Sequence, residues 1–403
     1  MTVTDHADNS TVAESDRPFY IVEPNNDSIR TLILWHSERM DALYPTEPDT
    51  QERSPTELLG DALANLAAHP SVQGRIVDLA LSDPLDALYD MWDAEAIDAN
   101  TLLFGSGGLR DYIHDEWLAT HQAVEHLIVV GDDRVIPFAR LADRTAIVSE
   151  NTYPTATADL PTETDVDLTA DGTPAGEVLA TNRYLSDDPL ATRGTLAVLQ
   201  LDDTVFLPDL GIGRLVETPD EIVASIATFI SSEGVIDLST KPSRKVAISA
   251  YDFLVDSGNK IRERWESVLD VDLSQELIGQ SWSSADLQSE LCTEEAYGVL
   301  SLNGHATHYE VGHPSADGPF VIEGTSTDDL AGCDLTGSLV YAVGCHSGLP
   351  VPDDSVRADK DNTLDLPQAM LRAKALAYLG NTGYGWGLKH GVGYSERLVQ
   401  RFT

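Results

Sequence analysis

Two segments of this 403-residue chain place side chains that suit nucleophilic catalysis at the ends of apolar runs. The first reads Gly298-Val-Leu-Ser-Leu-Asn-Gly-His305, and the second reads Gly337-Ser-Leu-Val-Tyr-Ala-Val-Gly-Cys345. Short apolar runs bounded by glycine predict buried strands of a mostly parallel sheet, whose reactive side chains lie just beyond the carboxyl ends of the strands. If the two strands are neighbours, His305 and Cys345 lie side by side. A thiol beside an imidazole can ionise and attack a carbonyl carbon, and the imidazole can then protonate the leaving group.

A metal site is the rival interpretation of this region. His305, His308 and His313 lie close together in the sequence, and His346 follows the cysteine. The spacing H-x-x-H-x-x-x-x-H lacks the glutamate of H-E-x-x-H, and its first two histidines do not have the i, i+4 spacing of that motif. A lone cysteine after an apolar strand is also often a small buried hydrophobic residue. The pairing of Cys345 with His305 at two strand ends favours thiol chemistry over both alternatives.

The elements that must position these residues alternate between strand and helix along the chain. Apolar runs predict strands at 31–35, 74–79, 126–130, 245–250, 298–302, 338–343 and 375–379. Capping residues and apolar spacing predict helices at 54–66, 84–92, 111–124, 218–231, 260–268 and 367–373, while 100–104 fits either a strand or a helix. Such alternation predicts right-handed βαβ units and a mostly parallel sheet, which is an α/β fold.

The chain divides by composition and periodicity into three parts. Residues 1–18 are polar and acidic and predict a disordered tail. Residues 19–235 are expected to form an N-terminal α/β subdomain, and residues 236–403 a catalytic subdomain. Within the first subdomain, 144–207 is polar and weakly periodic, and we expect it to include a hairpin and a mobile excursion.

The charge balance excludes two classes of partner. The chain carries 67 acidic against 25 basic residues, for a net charge of −42, so nucleic acid and anionic membrane are not expected partners. An acid excess spread along the whole chain resembles the proteins of salt-loving archaea, which stay hydrated where salt screens charge. We expect such a halophilic chain to lose stability at low salt.

Cysteine usage and the absence of targeting segments indicate a cytoplasmic protein. Three cysteines, Cys292, Cys333 and Cys345, do not make a disulfide scaffold. No apolar stretch approaches the roughly 20 residues that a membrane span needs. The N-terminus has neither the basic nor the apolar region of a signal peptide.

In the order of its motifs, the sequence resembles the gingipain-type cysteine peptidases of the caspase clan. The similarity covers roughly residues 120–390 and rests on five segments: Leu127–Pro137 (Leu-Ile-Val-Val-Gly-Asp-Asp-Arg-Val-Ile-Pro), Pro208–Arg214 with Glu221 in the helix after it, Asn303-Gly-His305, Gly344-Cys345, and the glycine-rich loop Gly380–Trp386. The resemblance implies a caspase-like and gingipain-like α/β/α sandwich, with two consecutive α/β subdomains and a polypeptide substrate.

Roles follow from this resemblance position by position. Cys345 would be the nucleophile and His305 the general acid–base. The backbone N–H groups of Cys345 and Ala306 would bind the oxyanion. Ala306 departs from the family, which usually has glycine after the histidine, and we expect its methyl group to crowd the substrate.

The resemblance also implies residues for substrate selection. In this family an acidic residue before the histidine strand and a tryptophan after the cysteine can form a pocket for a basic side chain, and Asp252, Asp256 and Trp386 occupy similar places. No cofactor is expected for catalysis, although some relatives bind a structural calcium ion. Two alternatives stay open: a catalytically degenerate scaffold or binding module, and a metal-dependent hydrolase.

The C-terminal segment predicts an amphipathic helix over residues 394–402, with Leu398, Val399 and Phe402 on one face. Relatives of this type usually continue with further helix and sheet. We therefore expect that the sequence lacks a C-terminal portion of the catalytic domain, and that an oligomer or a partner chain covers the exposed apolar face.

Overall fold

A computed structural model describes residues 2–4, 10–12, 28–46, 53–145, 148–153, 178–193, 195–198, 203–240, 245–269, 271, 273, 277–293, 295–315, 318–353, 364–388, 390–393 and 395–402. The predicted mobile excursion within 144–207 falls largely outside these residues, as does most of the predicted tail. Within that tail, Thr2–Thr4 and Ser10–Val12 pair as a short antiparallel hairpin.

The first half of the chain builds one parallel sheet. The strands of this half are β1 (Thr2–Thr4), β2 (Ser10–Val12), β3 (Thr31–Trp35), β4 (Gly74–Asp78), β5 (His126–Val130), β6 (Ala139–Ala142), β7 (Arg183–Ser186), β8 (Thr195–Val198), β9 (Asp203–Phe206) and β10 (Gly211–Leu215). Four of them form a sheet in the order β10-β5-β3-β4, with every neighbouring pair parallel. The remaining strands pair as the two-stranded antiparallel sheets β1-β2, β6-β7 and β8-β9.

The helices of this half start where the sequence provides caps. They are α1 (Ser37–Leu43), α2 (Pro55–Ala68), α3 (Asp83–Asp93), α4 (Ala99–Phe104), α5 (Leu109–Tyr112), α6 (Asp188–Ala191) and α7 (Pro219–Ser231). Ser54 with Glu57, and Thr218 with Glu221, form capping boxes with a proline in the first turn, which accounts for the starts of α2 and α7. These two helices pack on each other, and α2 covers β3 and β4.

The second half builds another parallel sheet. The strands of this half are β11 (Val246–Ala250), β12 (Leu277–Ile278), β13 (Val299–Asn303), β14 (His305–Ala306), β15 (Glu310–Ser315), β16 (Gly318–Ser326), β17 (Leu339–Ala342) and β18 (Ala377–Leu379). The helices of this half are α8 (Val255–Leu269), α9 (Ser284–Leu291), α10 (Leu366–Arg372) and α11 (Ser395–Phe402). Five strands form a wholly parallel sheet in the order β12-β11-β13-β17-β18, while β14, β15 and β16 form a separate antiparallel sheet.

Alternating side chains of the second sheet feed two hydrophobic clusters on opposite faces. In β11, Val246 and Ile248 pack with Ile261 and Trp265 of α8, whereas Ala247 packs with residues of α9 and α10 in the other cluster. Helices therefore cover both faces of this sheet, which makes it an α/β/α sandwich. A smaller cluster joins the two halves through Phe138, Tyr153, Val178, Leu179, Leu185, Leu349 and Val351.

The α/β class and the mostly parallel sheets are confirmed. The two main sheets draw their strands from opposite sides of residue 235, while the subdomain division itself stays a prediction. Asp98 caps residues 99–104 by accepting from the Thr101 N–H, so this segment is helix α4. The helix expected over 111–124 instead begins at Leu109 and continues in π-helical form only to Leu118.

Two features were not anticipated from the sequence. His305 lies in the short strand β14, paired with β15, and not in a loop. Cys292 and Cys333 form a disulfide, so Cys345 is the remaining cysteine and is free. The amphipathic helix predicted over 394–402 is present as α11, and its Leu398 is 71% exposed. No helix within the described ranges has the length and apolar character to cross a membrane.

Candidate active site

The register of two parallel strands places His305 and Cys345 at the same level of the sheet. Strands β13 and β17 pair through Leu302 and Ala342, and the Val343 N–H donates to the Leu302 carbonyl at 3.0 Å. His305 lies three residues beyond Leu302, and Cys345 lies three residues beyond Ala342. Both therefore leave the carboxyl edge of neighbouring strands, as the sequence indicated.

The two segments that follow β13 and β17 remain in contact beyond the ends of these strands. A side chain on Gly344 would overlap the Ala306 methyl group and would lie 3.0 Å from the Gly304 carbonyl oxygen and 3.1 Å from the Ala306 nitrogen. Only glycine permits this approach, which brings the residue before Cys345 against the residue after His305. Ala306 is 5% exposed and belongs to the hydrophobic core, so its methyl group faces Gly344 and the interior.

Two backbone N–H groups lie at this junction. The Thr307 N–H donates to the Glu310 carbonyl at 3.0 Å, and opposed residues in antiparallel strands alternate between hydrogen-bonded and non-hydrogen-bonded pairs. The Ala306–Val311 pair is therefore non-hydrogen-bonded, and the Ala306 N–H points away from β15. Over the described ranges, no other residue accepts a hydrogen bond from the Cys345 N–H. The positions expected for the oxyanion donors thus lie on two adjacent segments of the polypeptide.

His305 is half-buried between an acidic and an aromatic neighbour. Its Nε2 lies 3.7 Å from Oδ2 of Asp252, within ion-pair range but too long for a hydrogen bond. The Phe253 ring meets the imidazole edge-on, with 5.7 Å between centroids. Burial lowers the pKa of His305, and the carboxylate of Asp252 opposes that shift. The imidazole is therefore neutral at neutral pH, with a carboxylate placed to stabilise it once it gains a proton.

The Cys345 thiol is only partly accessible, and its Sγ donates to the Gly385 carbonyl at 3.6 Å. Burial, and then the negative charge of Glu150, raise the pKa of this thiol to about 11. The neutral thiol is therefore the resting form. At neutral pH the thiol and the imidazole are therefore both uncharged.

Three side chains fix the backbone around Cys345: Ser347 in the same segment, Tyr378 in β18 and Asn381 just after β18. The Asn381 amide Nδ2 donates to the carbonyls of Val343 and Gly344 at 2.7 and 3.1 Å. Ser347 Oγ donates to the Gly344 carbonyl at 2.9 Å, and the Tyr378 hydroxyl donates to the Ser347 carbonyl at 2.8 Å. These bonds satisfy buried carbonyls of an irregular loop, so they stabilise one conformation of the cysteine segment.

A buried group from the first half of the chain reaches this segment. His346 is fully buried, and its Nε2 lies 2.8 Å from Oε2 of Glu150, which is 4% exposed. The Tyr153 ring stacks on the His346 imidazole, with 3.6 Å between centroids and 13° between planes. The Tyr153 hydroxyl lies 2.6 Å from Nδ1 of His308 and accepts from the His308 N–H. No local sequence signal marks Glu150 or Tyr153, which lie in a weakly periodic segment.

These contacts bear on the metal hypothesis. His346 binds Glu150, and His308 binds Tyr153. Burial lowers the pKa of His308 to about 3. His313 lies against the rings of Tyr251 and Trp282. Among the residues that the structure describes, no group of three or more His, Cys, Asp or Glu side chains is arranged to hold a metal ion.

The three residues expected to select the substrate occupy different places. Asp252 is the neighbour of His305, and its side chain is 47% exposed. Asp256 accepts from the Gly391 N–H at 2.9 Å, so it ties α8 to the loop after the glycine-rich segment. Trp386 is half-buried, and its backbone pairs with Ser395 at the start of α11. The structure brings Asp252 to the site and gives Asp256 a loop contact.

No protein-family model and no curated protein matches this chain. Among solved structures it is similar to a protease at 12% identity and a TM-score of 0.45, covering 90% of this chain and 61% of that one. It is also similar to a complex of the pro- and mature domains of RgpB from Porphyromonas gingivalis (11%, TM-score 0.48, 88% and 64%) and to the Arg-specific cysteine proteinase gingipain R (12%, TM-score 0.47, 91% and 66%). The chain therefore spans less than two thirds of each of these structures, and at such values the likeness assigns no family.

Proposed function

We propose that this chain is a cysteine-type endopeptidase, with Cys345 as the nucleophile and His305 as the general acid–base. The observation that carries the proposal is the shared register of β13 and β17, which extends both residues from the same edge of the sheet with Gly344 against Ala306. The resemblance of the same segments to gingipain-type peptidases supports this assignment.

The protonation states define the first step. At neutral pH the raised pKa of Cys345 and the lowered pKa of His305 leave both groups neutral. Attack on the peptide carbonyl therefore transfers the thiol proton to the imidazole while the sulfur–carbon bond forms. The imidazolium then lies 3.7 Å from the carboxylate of Asp252, which stabilises its charge. The N–H groups of Cys345 and Ala306 are the candidates that bind the oxyanion.

The second half of the reaction returns each group to its resting form. The imidazolium donates its proton to the leaving amine as the carbon–nitrogen bond breaks, which leaves a thioester acyl-enzyme. His305 then accepts a proton from water as the water oxygen attacks the thioester carbonyl. The sulfur–carbon bond breaks, and the proton returns to the thiol. These steps need no cofactor, and a structural calcium ion stays a prediction.

The substrate class is proposed from chemistry. A polypeptide supplies the carbonyl and the leaving amine. If the half-exposed Asp252 carboxylate faces the bound side chain, arginine or lysine before the scissile bond reacts fastest, because a guanidinium pairs well with a carboxylate. A fluorogenic peptide library that varies this position tests the preference, and a clear preference for apolar or acidic residues removes Asp252 and Asp256 from substrate selection.

Two substitutions test the reaction itself. Cys345→Ala and His305→Ala should each abolish peptide hydrolysis and leave the melting temperature close to that of the wild type. His126→Ala, at an exposed position in β5, serves as the control and should retain activity. Full hydrolysis by Cys345→Ala would exclude the nucleophile assignment, and hydrolysis sensitive only to a chelator would favour the metal-dependent alternative.

A catalytically inactive binding module is the second candidate. The observation that favours it is the pKa of Cys345, which at about 11 leaves little thiolate at neutral pH. A folded protein whose Cys345 reacts with no peptide electrophile at neutral pH would support this candidate over the peptidase.

A further inference from the structure

One buried carboxylate joins the loop that carries Cys345 to the loop whose Gly385 carbonyl accepts from the Cys345 thiol. Oε2 of Glu150 binds Nε2 of His346, the residue directly after Cys345, at 2.8 Å. Oε1 of the same carboxylate accepts from the Tyr384 N–H at 2.8 Å. Tyr384 directly precedes Gly385, whose carbonyl accepts from the thiol. The carboxylate thus binds the residue directly after Cys345 and the residue directly before Gly385.

The backbone of His346 needs such a partner. Its φ is +53°, in the left-handed region that side-chain-bearing residues rarely adopt. Backbone conformations of this kind persist where surrounding contacts fix them, and they are frequent at functional sites. Here the imidazole is enclosed between the stacked ring of Tyr153 and the edge of Tyr384, with its Nε2 on Glu150. These contacts turn His346 away from the site while Cys345 faces it.

The carboxylate belongs to the other half of the molecule. Glu150 begins a short 3-10 turn, Glu150–Thr152, and Thr152 Oγ1 lies 3.0 Å from the Tyr384 hydroxyl. A side chain on Gly383 would overlap Oε1 of Glu150, so the carboxylate lies tightly against the loop. The conformation of the cysteine segment therefore depends on a segment that is 196 residues away from it in the sequence.

We propose that Glu150 is a positioning residue of the active site, which fixes the loop of Cys345 and the loop of Gly385 relative to each other through its bonds to His346 and Tyr384. The inference rests on the proposed peptidase function, in which Cys345 is the nucleophile. Glu150 acts through its neighbours and not on the substrate, so its loss lowers kcat and changes KM little.

The test compares Glu150→Ala and Glu150→Gln with matched variants of Glu221. Glu221 also joins the two halves, because it accepts from Gln368 and Arg372 of α10, but it does not contact the cysteine segment. Activity is measured on the fastest peptide of the library and normalised to the amount of titrated Cys345. Iodoacetamide alkylation of Cys345 is followed against pH in the same proteins.

Glu150→Ala should lower kcat roughly 100-fold, the size expected for misplacement by about 1 Å, with KM within about threefold of the wild type. Glu150→Gln keeps an acceptor for the Tyr384 N–H and should recover part of that loss. Both remove a negative charge that raises the pKa of Cys345, so both should shift the alkylation profile to lower pH. Glu221→Ala and Glu221→Gln should change neither kcat nor that profile.

A kcat of Glu150→Ala that matches Glu221→Ala would overturn the inference, since both variants lose a bond between the halves. If Glu150→Ala does not fold, Glu150→Gln decides, and a wild-type kcat in it overturns the inference as well. If the wild type cleaves no peptide, the proposed function fails while the alkylation profiles still test Glu150. Unchanged profiles in both Glu150 variants then count against it.

Discussion

Replacing Asp252 by asparagine removes the carboxylate that would stabilise the His305 imidazolium while keeping the size of the side chain. At the 3.7 Å between Nε2 and Oδ2, two unit charges attract by about 1 kcal/mol in water and about 4 kcal/mol at an effective dielectric constant of about 20. Because the Asp252 side chain is 47% exposed, the lower part of this range applies. We expect a loss of about 1 to 1.5 kcal/mol, which is roughly tenfold in kcat/KM.

The pH dependence of kcat/KM provides a second test of Asp252→Asn. The Asp252 carboxylate raises the pKa of His305 against the lowering effect of burial, so Asp252→Asn lowers that pKa further. Because the proposed general base, His305, must be neutral, the acidic limb of kcat/KM against pH should move to lower pH while the plateau falls. Asp256→Asn is the matched control, since its carboxylate binds the Gly391 N–H and not His305. An unchanged plateau, or an acidic limb moved to higher pH, would refute the role of Asp252.

Three further predictions follow from the site and the charge. Gly344→Ala should reduce both thermal stability and peptide hydrolysis, because its methyl group overlaps that of Ala306. Adding Ala306→Gly to the same chain should restore part of both. Equal losses in the single and double variants would contradict this contact. Iodoacetamide alkylation of Cys345 should still be rising at about pH 9, because the pKa of about 11 keeps the thiol protonated; a plateau near pH 8 would contradict that environment. With a net charge of −42, the melting temperature should rise from millimolar to molar KCl, and a flat response would count against salt adaptation.

Sequence periodicity was sufficient to predict the mostly parallel sheet and the two strands that precede His305 and Cys345. Apolar runs bounded by glycine located β13 and β17, which are paired neighbours. The rule that reactive groups follow the carboxyl ends of parallel strands predicts that His305 and Cys345 leave the same edge of the sheet. Capping boxes at Ser54 and Thr218 likewise marked the starts of α2 and α7. These features depend on residues that are close together along the chain, so a single sequence is enough to predict them.

Other parts of the site depend on contacts between distant segments. Glu150 and His346 are 196 residues apart, and neither has a motif around it that indicates the pair. The pairing of Cys292 with Cys333 joins positions 41 residues apart, and sequence spacing alone does not determine such a bond. The methyl group of Ala306 was expected to crowd the substrate, but it lies in the core because β14 pairs with a hairpin that the sequence did not indicate.

The most direct test of the central claim is covalent capture of the nucleophile. The purified protein would be treated at neutral pH with a peptidyl acyloxymethyl ketone, and the modified residue would be mapped by mass spectrometry in the wild type, in His305→Ala, in Cys345→Ala and in denatured protein. The disulfide leaves Cys345 as the free thiol, so the site of reaction is unambiguous. We predict rapid labelling at Cys345 in the folded wild type, much slower labelling in His305→Ala and in denatured protein, and none in Cys345→Ala. Labelling of the folded wild type no faster than that of denatured protein or of His305→Ala would contradict a catalytic pair at this sheet edge.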